Sequence, residues 1–281
     1  MNLRPQTEHL IDLALAEDCG LGDLTSRAIF PRAHRSRAYV EAGQDLVACG
    51  LEVAAAVFAR VDPRIKVRFL AREGQRLKQG ARMLEVAGPT ASLLTAERTA
   101  LNFMQRLSGI ATLAGRFAKA VEGTRVRIVD TRKTTPGFRA LEKYAVRCGG
   151  CFNHRSSLGE HVLIKDNHIE AAGSVAKAVK LCRREAPHLA LIEVEAKTTA
   201  QVRAALKARA GAILLDNMSP SQVKAAVKLI AGMAVVEVSG GVRLETVREY
   251  ALAGVNVISI GALTHSAPAA DMSLTLVGRR R

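Results

Sequence analysis

From residue 125 onward the chain alternates short apolar runs with amphipathic stretches of about a dozen residues. The runs predict strands over 125–130, 161–166, 189–195, 211–216, 234–239 and 255–260. The helices between the later strands carry explicit signals. Ser219-Pro220 is an N-cap with proline at the first helical position, and Val223, Ala226, Val227 and Ile230 share one face. Gly254 closes a helix carrying Leu244, Val247 and Ala251. Alternating strands and helices make parallel strands, and six or more such units predict a β/α barrel rather than an open sheet. The units are unequal, so the barrel is expected to be irregular.

Residues 1–111 have a different texture, with no regular repeat. His9 to Asp18 predicts an apolar helix, ended by the Gly-rich turn from Cys19 to Asp23. Tyr39-Val40, Lys66 to Leu70 and Met83 to Val86 read as strands, with turn signals at Gly43, Gly74, Gly80 and Gly88-Pro89. A small sheet with helices follows. Thr95 to Leu107 predicts a helix with Arg98, Asn102 and Gln105 on one polar stripe, for which the side-chain pattern alone favours a solvent face.

Composition narrows the class. The 281 residues are 48% hydrophobic, enough for a large core, yet only 4% aromatic with no Trp, which favours close helix–strand layers over an aromatic-rich sandwich. A formal charge of +15 attracts polyanions without choosing among nucleic acid, membrane surface and phosphorylated metabolites. Basic residues are spread over the chain, and Arg279-Arg280-Arg281 reads as a frayed tail. Cysteines at 19, 49, 148, 151 and 182 are an odd number without a signal-peptide pattern, so a reducing cytoplasm is expected. No apolar run reaches transmembrane length, so no membrane partner is expected. Cys148-Gly-Gly-Cys151 has redox or half-zinc spacing but no second pair to complete a four-ligand site.

Chemistry concentrates where the predicted strands end. Asp130, Lys165-Asp166, Glu193 with Glu195, Asp216-Asn217, Glu237 with Ser239, and Ser259 with Gly261 all fall at C-terminal strand ends, where barrels collect their active groups. Glu193 and Glu195 are two apart and point to the same side. For Glu193 or Glu237 alone, a structural salt bridge is the preferred reading. Ser239-Gly240-Gly241 and Gly261-Ala262 follow the last strands, a position suited to phosphate binding by backbone N–H groups. Residues 130–168 add seven Lys/Arg (132, 133, 139, 143, 147, 155, 165), three His (154, 161, 168) and only four acids (Asp130, Glu142, Glu160, Asp166). They sit beside Gly, Pro, Asn and Thr at strand ends and loops, which points to an anion-handling site rather than a solvated helix face.

These motifs together resemble quinolinate phosphoribosyltransferase over nearly the whole chain. The carrying residues are Glu17 to Thr25, Glu97 to Asn102, Leu107 to Thr112, Asp130 to Gly137, Lys143 to Gly150, Asn153-His154-Arg155, Ile164 to His168, Glu193 to Glu195, Leu215 to Asn217, Ser239 to Gly241 and Gly261 to His265. The resemblance implies an irregular, seven-stranded type of β/α barrel over 112–266. It also implies an N-terminal α/β domain over 1–111, completed by the C-terminal segment 267–281. The activity implied is transfer of phosphoribosyl from phosphoribosyl pyrophosphate to quinolinate with loss of carbon dioxide, requiring Mg2+.

By matching motifs, Arg132, His154 and Arg155 fall to the quinolinate carboxylates, with Arg98 supplied by the other subunit of a homodimer or an assembly of dimers, and Thr131 is a further substrate-binding residue. Lys133 and Lys165 fall to the pyrophosphate. Glu195 and Asp216 fall to ribose hydroxyls or hydrated magnesium, and Ser239, Gly240, Gly241, Gly261 and Ala262 to the 5-phosphate. Lys133, Lys165, Glu195 and Asp216 are the expected catalytic set. Cys151 and Ser157 stand where the family pattern has Gly, which would strain the loop if either needed positive φ. A molybdate-transport-associated paralogue shares Thr-Arg-Lys-Thr-Thr-Pro-Gly but differs at Asn153-His154 and Asp166-Asn167. A basic nucleic-acid-binding protein is disfavoured by the few aromatics and by the acids at the strand ends.

Overall fold

A computed structural model describes residues 4–31 and 33–277, so the Arg279-Arg280-Arg281 tail lies outside the described residues. In chain order the elements are α1 (Pro5–Cys19), α2 (Leu24–Ile29), β1 (Arg35–Ala42), β2 (Leu46–Val47), α3 (Leu51–Val61), β3 (Lys66–Phe69), β4 (Arg76–Leu77), β5 (Arg82–Pro89) and α4 (Thr90–Ala120). Then come β6 (Arg127–Val129), α5 (Arg139–Cys148), β7 (Val162–Ile164), α6 (Asp166–Ala172), α7 (Val175–Glu185), β8 (Ile192–Ala196), α8 (Thr199–Lys207) and β9 (Ala212–Asp216). The remainder is α9 (Pro220–Ile230), β10 (Val235–Ser239), α10 (Val247–Leu252), β11 (Val257–Ser259), α11 (Ala262–His265) and β12 (Met272–Leu276).

The chain divides into two compact units. The described parts of residues 1–115, 135–150 and 263–281 make one, and residues 116–134 with 151–262 make the other. Residues 135–150, which chain order alone assigns to the barrel, belong to the first unit.

In the first unit four strands form an antiparallel sheet in the order β12-β1-β5-β3, so the C-terminal segment completes a sheet begun at residue 35. Met83, Leu84 and Val86 of β5 and Ala38 and Val40 of β1 are wholly buried. Gly88-Pro89 is not the turn its composition suggests, because β5 runs through it. Gly88 lies against Ile65, where a Cβ would come within 2.9 Å of the Ile65 side chain, so glycine here permits close packing in a strand rather than a bend. α4 spans 31 residues, well beyond the predicted Thr95–Leu107. On its stripe Arg98 and Asn102 are exposed, whereas Gln105 donates to the Met272 carbonyl at 3.3 Å.

The second unit holds the parallel strands in the order β6-β11-β10-β9-β8-β7. All six lie inside the spans predicted from the apolar runs, apart from a one-residue extension of β8. Val194, Ile213, Leu215, Val236, Val238 and Ile258 alternate with the polar strand-end positions and are buried. Each such apolar side chain contributes roughly 1.5–3 kcal/mol on burial. Val202 and Ala205 of α8, and Val223, Ala226 and Ile230 of α9, are buried likewise. Ser219 caps α9 through the Gln222 amide, as its sequence predicts, whereas Leu244 precedes α10 instead of lying in it.

A seventh strand position is reduced to one parallel bridge between Val129 and Phe152. Between Phe152 and β7 the seam is joined by side chains. Arg155 Nη1 donates to the His161 carbonyl at 3.0 Å, and the His154 and His161 rings meet with centroids 5.0 Å apart.

Candidate active site

The cationic loop of the second unit is shaped by a buried acid. Asp130, fully buried at the end of β6, accepts from Asn153 Nδ2 at 2.6 Å and from the His154 amide at 2.9 Å. This carboxylate fixes the Asn153-His154 turn. Nearby, the Lys133 amide donates to Thr131 Oγ1 at 3.1 Å, which shapes the segment carrying Arg132 and Lys133. Arg132 is half-buried and Lys133 exposed.

Beneath His154 lie two acids. Its Nε2 stands 3.5 Å from Glu193 and 3.4 Å from Glu237, both buried, and His161 Nε2 lies 3.8 Å from Glu193. The salt-bridge reading preferred for Glu193 and Glu237 individually is therefore what the structure shows. Burial alone would lower the His154 pKa, but bonds and charges from Glu193 and Glu237 raise it to about 9. A contact on the other nitrogen pulls the opposite way, since the Arg155 amide donates to Nδ1 at 2.8 Å and so suits a ring with one proton. Magnitude favours the charged ring. At the effective dielectric of a protein site, each carboxylate at this distance attracts a charge with roughly 4 kcal/mol, against about 1 kcal/mol for one neutral hydrogen bond. His161, desolvated and close to the His154 and Arg155 charges, is shifted down instead.

Arg155 is only 8% exposed. Burial lowers its pKa, and so does the like charge of Arg132, with Glu193 and Glu160 opposing. Two guanidinium groups close enough to repel, one of them desolvated, form a concentration of positive charge that a dianion relieves.

A second cluster gathers where β7, β8 and β9 end. Burial raises the Glu195 pKa, as do the charges of Asp216 and Asp166, while Lys165 and Lys197 pull it down. Lys197 Nζ lies 2.7 Å from Asp166 and 3.9 Å from Asp216. Its ammonium thus stands among carboxylates, in surroundings that suit a hard cation with oxygen ligands. Sequence reasoning missed Lys197. Its position directly after β8 is the signal that could have found it.

At the ends of β9 and β10 the backbone turns sharply. Gly240 and Gly241 both have positive φ, +86° and +65°, and a Cβ on Gly240 would fall 2.3 Å from Asn217 Oδ1. Asn217 is itself left-handed and donates its amide to the Ser239 carbonyl at 2.9 Å. Only glycine fits at 240, so this loop presents bare backbone beside Ser239. Gly261 and Ala262 follow β11 and are half-buried.

In the first unit, Glu142 is fully buried and organises Thr135-Pro136-Gly137. It accepts from Arg106 Nη2 at 2.7 Å, from the Thr135 amide at 3.1 Å and from Thr135 Oγ1 at 2.9 Å. Asp130 and Glu142 were counted in sequence only as scarce acids among bases. Asp130 proves to be a buried brace for the segment bearing His154 and Arg155, and Glu142 for the turn that starts at Thr135. The expected strain at Cys151 and Ser157 is absent, because the described non-glycine residues with positive φ are Arg209, Asn217 and Ala231. Cys151 is buried with its thiol pushed up to about 12, chiefly by burial, which makes it a poor nucleophile. Among the described residues, no helix is long and apolar enough to cross a membrane.

Comparison with known proteins identifies the family. Family models described as quinolinate phosphoribosyl transferase match at both ends, the N-terminal domain over residues 23–108 and the C-terminal domain over 110–275. A Bacillus subtilis protein named "Probable nicotinate-nucleotide pyrophosphorylase (carboxylating)" is 41% identical over 269 residues, covering 96% of this chain and 93% of that one. A mitochondrial quinolinate phosphoribosyltransferase (decarboxylating) of Nicotiana tabacum is 42% identical, over 96% of this chain and 84% of its own. The solved nicotinate-nucleotide pyrophosphorylase of Francisella tularensis superposes with a TM-score of 0.93 at 37% identity, covering 98% of each chain. With both domains matched and relatives similar over nearly their full lengths, the chain belongs to the quinolinate phosphoribosyltransferase family.

Proposed function

We propose that the two charged clusters of the second unit divide the two substrates of the family reaction between them. That reaction joins quinolinate to phosphoribosyl pyrophosphate and yields nicotinate mononucleotide, pyrophosphate and carbon dioxide, on the de novo route to NAD. The observation that carries the division is the segregation of charge. Arg132, Arg155 and a charged His154 form a carboxylate-binding group, while Lys165, Lys197, Asp166, Glu195 and Asp216 form a mixed group suited to a sugar polyphosphate.

In this reading Thr131, Arg132 and Arg155 orient the quinolinate carboxylates, and His154 adds positive charge from below, held by Glu193 and Glu237. Lys133 and Lys165 take the pyrophosphate and stabilise the negative charge that develops as it leaves the ribosyl carbon. Ser239, Gly240, Gly241, Gly261 and Ala262 cradle the 5-phosphate through their backbone N–H groups. Glu195 and Asp216 hold ribose hydroxyls, or Mg2+ through water. The oxygen donor set, with a lysine ammonium already between its carboxylates, fits that ion. When bound, Mg2+ supplies charge neutralisation on the polyphosphate. Once the pyridine nitrogen is ribosylated its positive charge stabilises the carbanion left by the departing carboxylate, so no covalent nucleophile is needed. The inert Cys151 is consistent with this.

The same reading has Arg98, exposed on α4, entering the site of a neighbouring copy in a homodimer or assembly of dimers, in a cytoplasmic enzyme that uses neither nucleic acid nor membrane. Purified protein mixed with quinolinate, phosphoribosyl pyrophosphate and Mg2+ tests the function. Nicotinate mononucleotide is expected. No product, with nicotinate accepted in place of quinolinate, overturns the reading. Mixing inactive Arg98→Ala and Lys165→Ala chains is expected to restore part of the activity through sites with both native halves. No recovery, with subunit exchange confirmed, removes the shared site.

A further inference from the structure

A third concentration of chemistry lies in the first unit and has no part in the transfer reaction. Cys49, Glu73 and Cys148 come from three separate segments, yet their sulfur and carboxylate donor atoms all lie within 4.8 Å of one another. Cys49 is fully buried, and Glu73 and Cys148 are half-buried.

The backbone around these residues is held in place by contacts that do not involve the three donor atoms converging on one another. The Cys49 amide donates to Ser108 Oγ at 3.0 Å and the Ser108 hydroxyl donates to the Cys49 carbonyl at 3.0 Å. The Gly74 amide donates to the Ala48 carbonyl at 2.8 Å, which ties the segment of Glu73 to that of Cys49. Gly74 packs against the Cys148 carbonyl so closely that a Cβ would come within 3.1 Å of it. The donors are thus brought together by the fold and do not rely on a ligand to gather them.

Geometry and charge suit a soft divalent cation. A tetrahedral zinc ion with Zn–S bonds near 2.3 Å sets its sulfur ligands about 3.8 Å apart. Donor atoms that all lie within 4.8 Å of one another are within about 1 Å of that spacing at most, whereas a disulfide needs the sulfurs to close to about 2.05 Å. Two thiolates and a carboxylate overcompensate a divalent ion by one negative charge. That charge falls at the start of α3, where Glu73 already accepts from the Gly50 amide at 3.0 Å and the Glu52 amide at 3.4 Å.

We propose that Cys49, Glu73 and Cys148 form a binding site for a thiophilic divalent cation of the zinc class, with water or the Tyr144 hydroxyl in the fourth position. Binding displaces one proton from each thiol as the two metal–sulfur bonds form, so two protons leave per ion from the thiols. The ion would tie α5, β4's approach and the start of α3 into one crosslinked cluster.

Co2+ titrated into the reduced full-length chain is the test, because a cobalt thiolate site has sulfur-to-metal charge-transfer absorption and the visible bands of a tetrahedral ion. One Co2+ per chain, release of two protons, displacement by Zn2+ and a thermal midpoint that rises with Zn2+ concentration are expected. Cys148→Ala, on the more exposed side, abolishes the charge-transfer band; Glu73→Gln weakens binding; Cys182→Ser leaves it intact. The proton count on the unsubstituted chain keeps the test decisive if Cys148→Ala does not fold. No charge-transfer band, a band that survives Cys148→Ala, or a Cys49–Cys148 disulfide formed in place of metal uptake overturns the site.

Discussion

Glu193 and Glu195 stand two residues apart on one strand and point to the same side, yet they belong to different chemical regions. Glu193 is 3% exposed and spends its charge on His154 and His161, with Glu237 beside it. Glu195 is half-buried and shares its surroundings with Asp216, Asp166, Lys165 and Lys197. Depth along the strand, rather than residue type, separates a carboxylate that braces from one that can meet a ligand. Lower acids hold cationic side chains in place, and upper acids at the strand ends remain available to polyphosphate, sugar hydroxyls or a metal.

If bracing acids are structural, removing one should cost stability before it costs chemistry. Glu142→Ala, which strands the Arg106 guanidinium and frees Thr135, is expected to lose about 3–5 kcal/mol in denaturant unfolding, as for a broken buried ion pair. Asp130→Asn keeps one acceptor but loses the charge holding Asn153 and the His154 amide, and about 1–3 kcal/mol is expected. An upper-layer change such as Glu195→Gln should leave stability nearly untouched. A comparable loss of stability there would erase the distinction.

Proton linkage gives a gentler probe of the lower layer. His154 has a folded pKa of about 9, above its ordinary value of 6.5, so its contribution to stability is fully present below about 6.5 and is lost as pH rises through about 9. Stability of the native chain should fall across that window, and Glu193→Gln should flatten the fall. An unchanged slope in the variant would show that Glu193 does not set the state of the ring.

Much of the barrel was legible because its evidence is local. Apolar runs, the Ser219-Pro220 cap and polar strand ends each declare themselves within a few residues. β12 was not legible from its own residues, since Met272 to Leu276 becomes a strand by pairing with β1, more than two hundred positions earlier. Gly88-Pro89 carried a turn composition that close packing against Ile65 overrode. In the site, Arg132, Arg155, Lys165, Glu195 and Asp216 stood out by motif and strand end. Asp130, Glu142 and Lys197 did not, because what each does depends on a partner brought near by folding. The Cys148-Gly-Gly-Cys151 spacing, set aside in sequence for want of a second pair, is indeed not a pair in the fold: Cys148 lies beside Cys49, about a hundred residues away in sequence, and Cys151 is a buried core thiol.

The division of substrates is tested most directly by calorimetric titration of quinolinate, and separately of phosphoribosyl pyrophosphate with Mg2+, into the native chain, Arg155→Ala and Asp216→Asn. Arg155→Ala is expected to weaken quinolinate binding on the order of a hundredfold while leaving phosphoribosyl pyrophosphate binding nearly unchanged, and Asp216→Asn to do the reverse. Equal loss of both ligands in both variants would contradict two separate charged clusters with one substrate each.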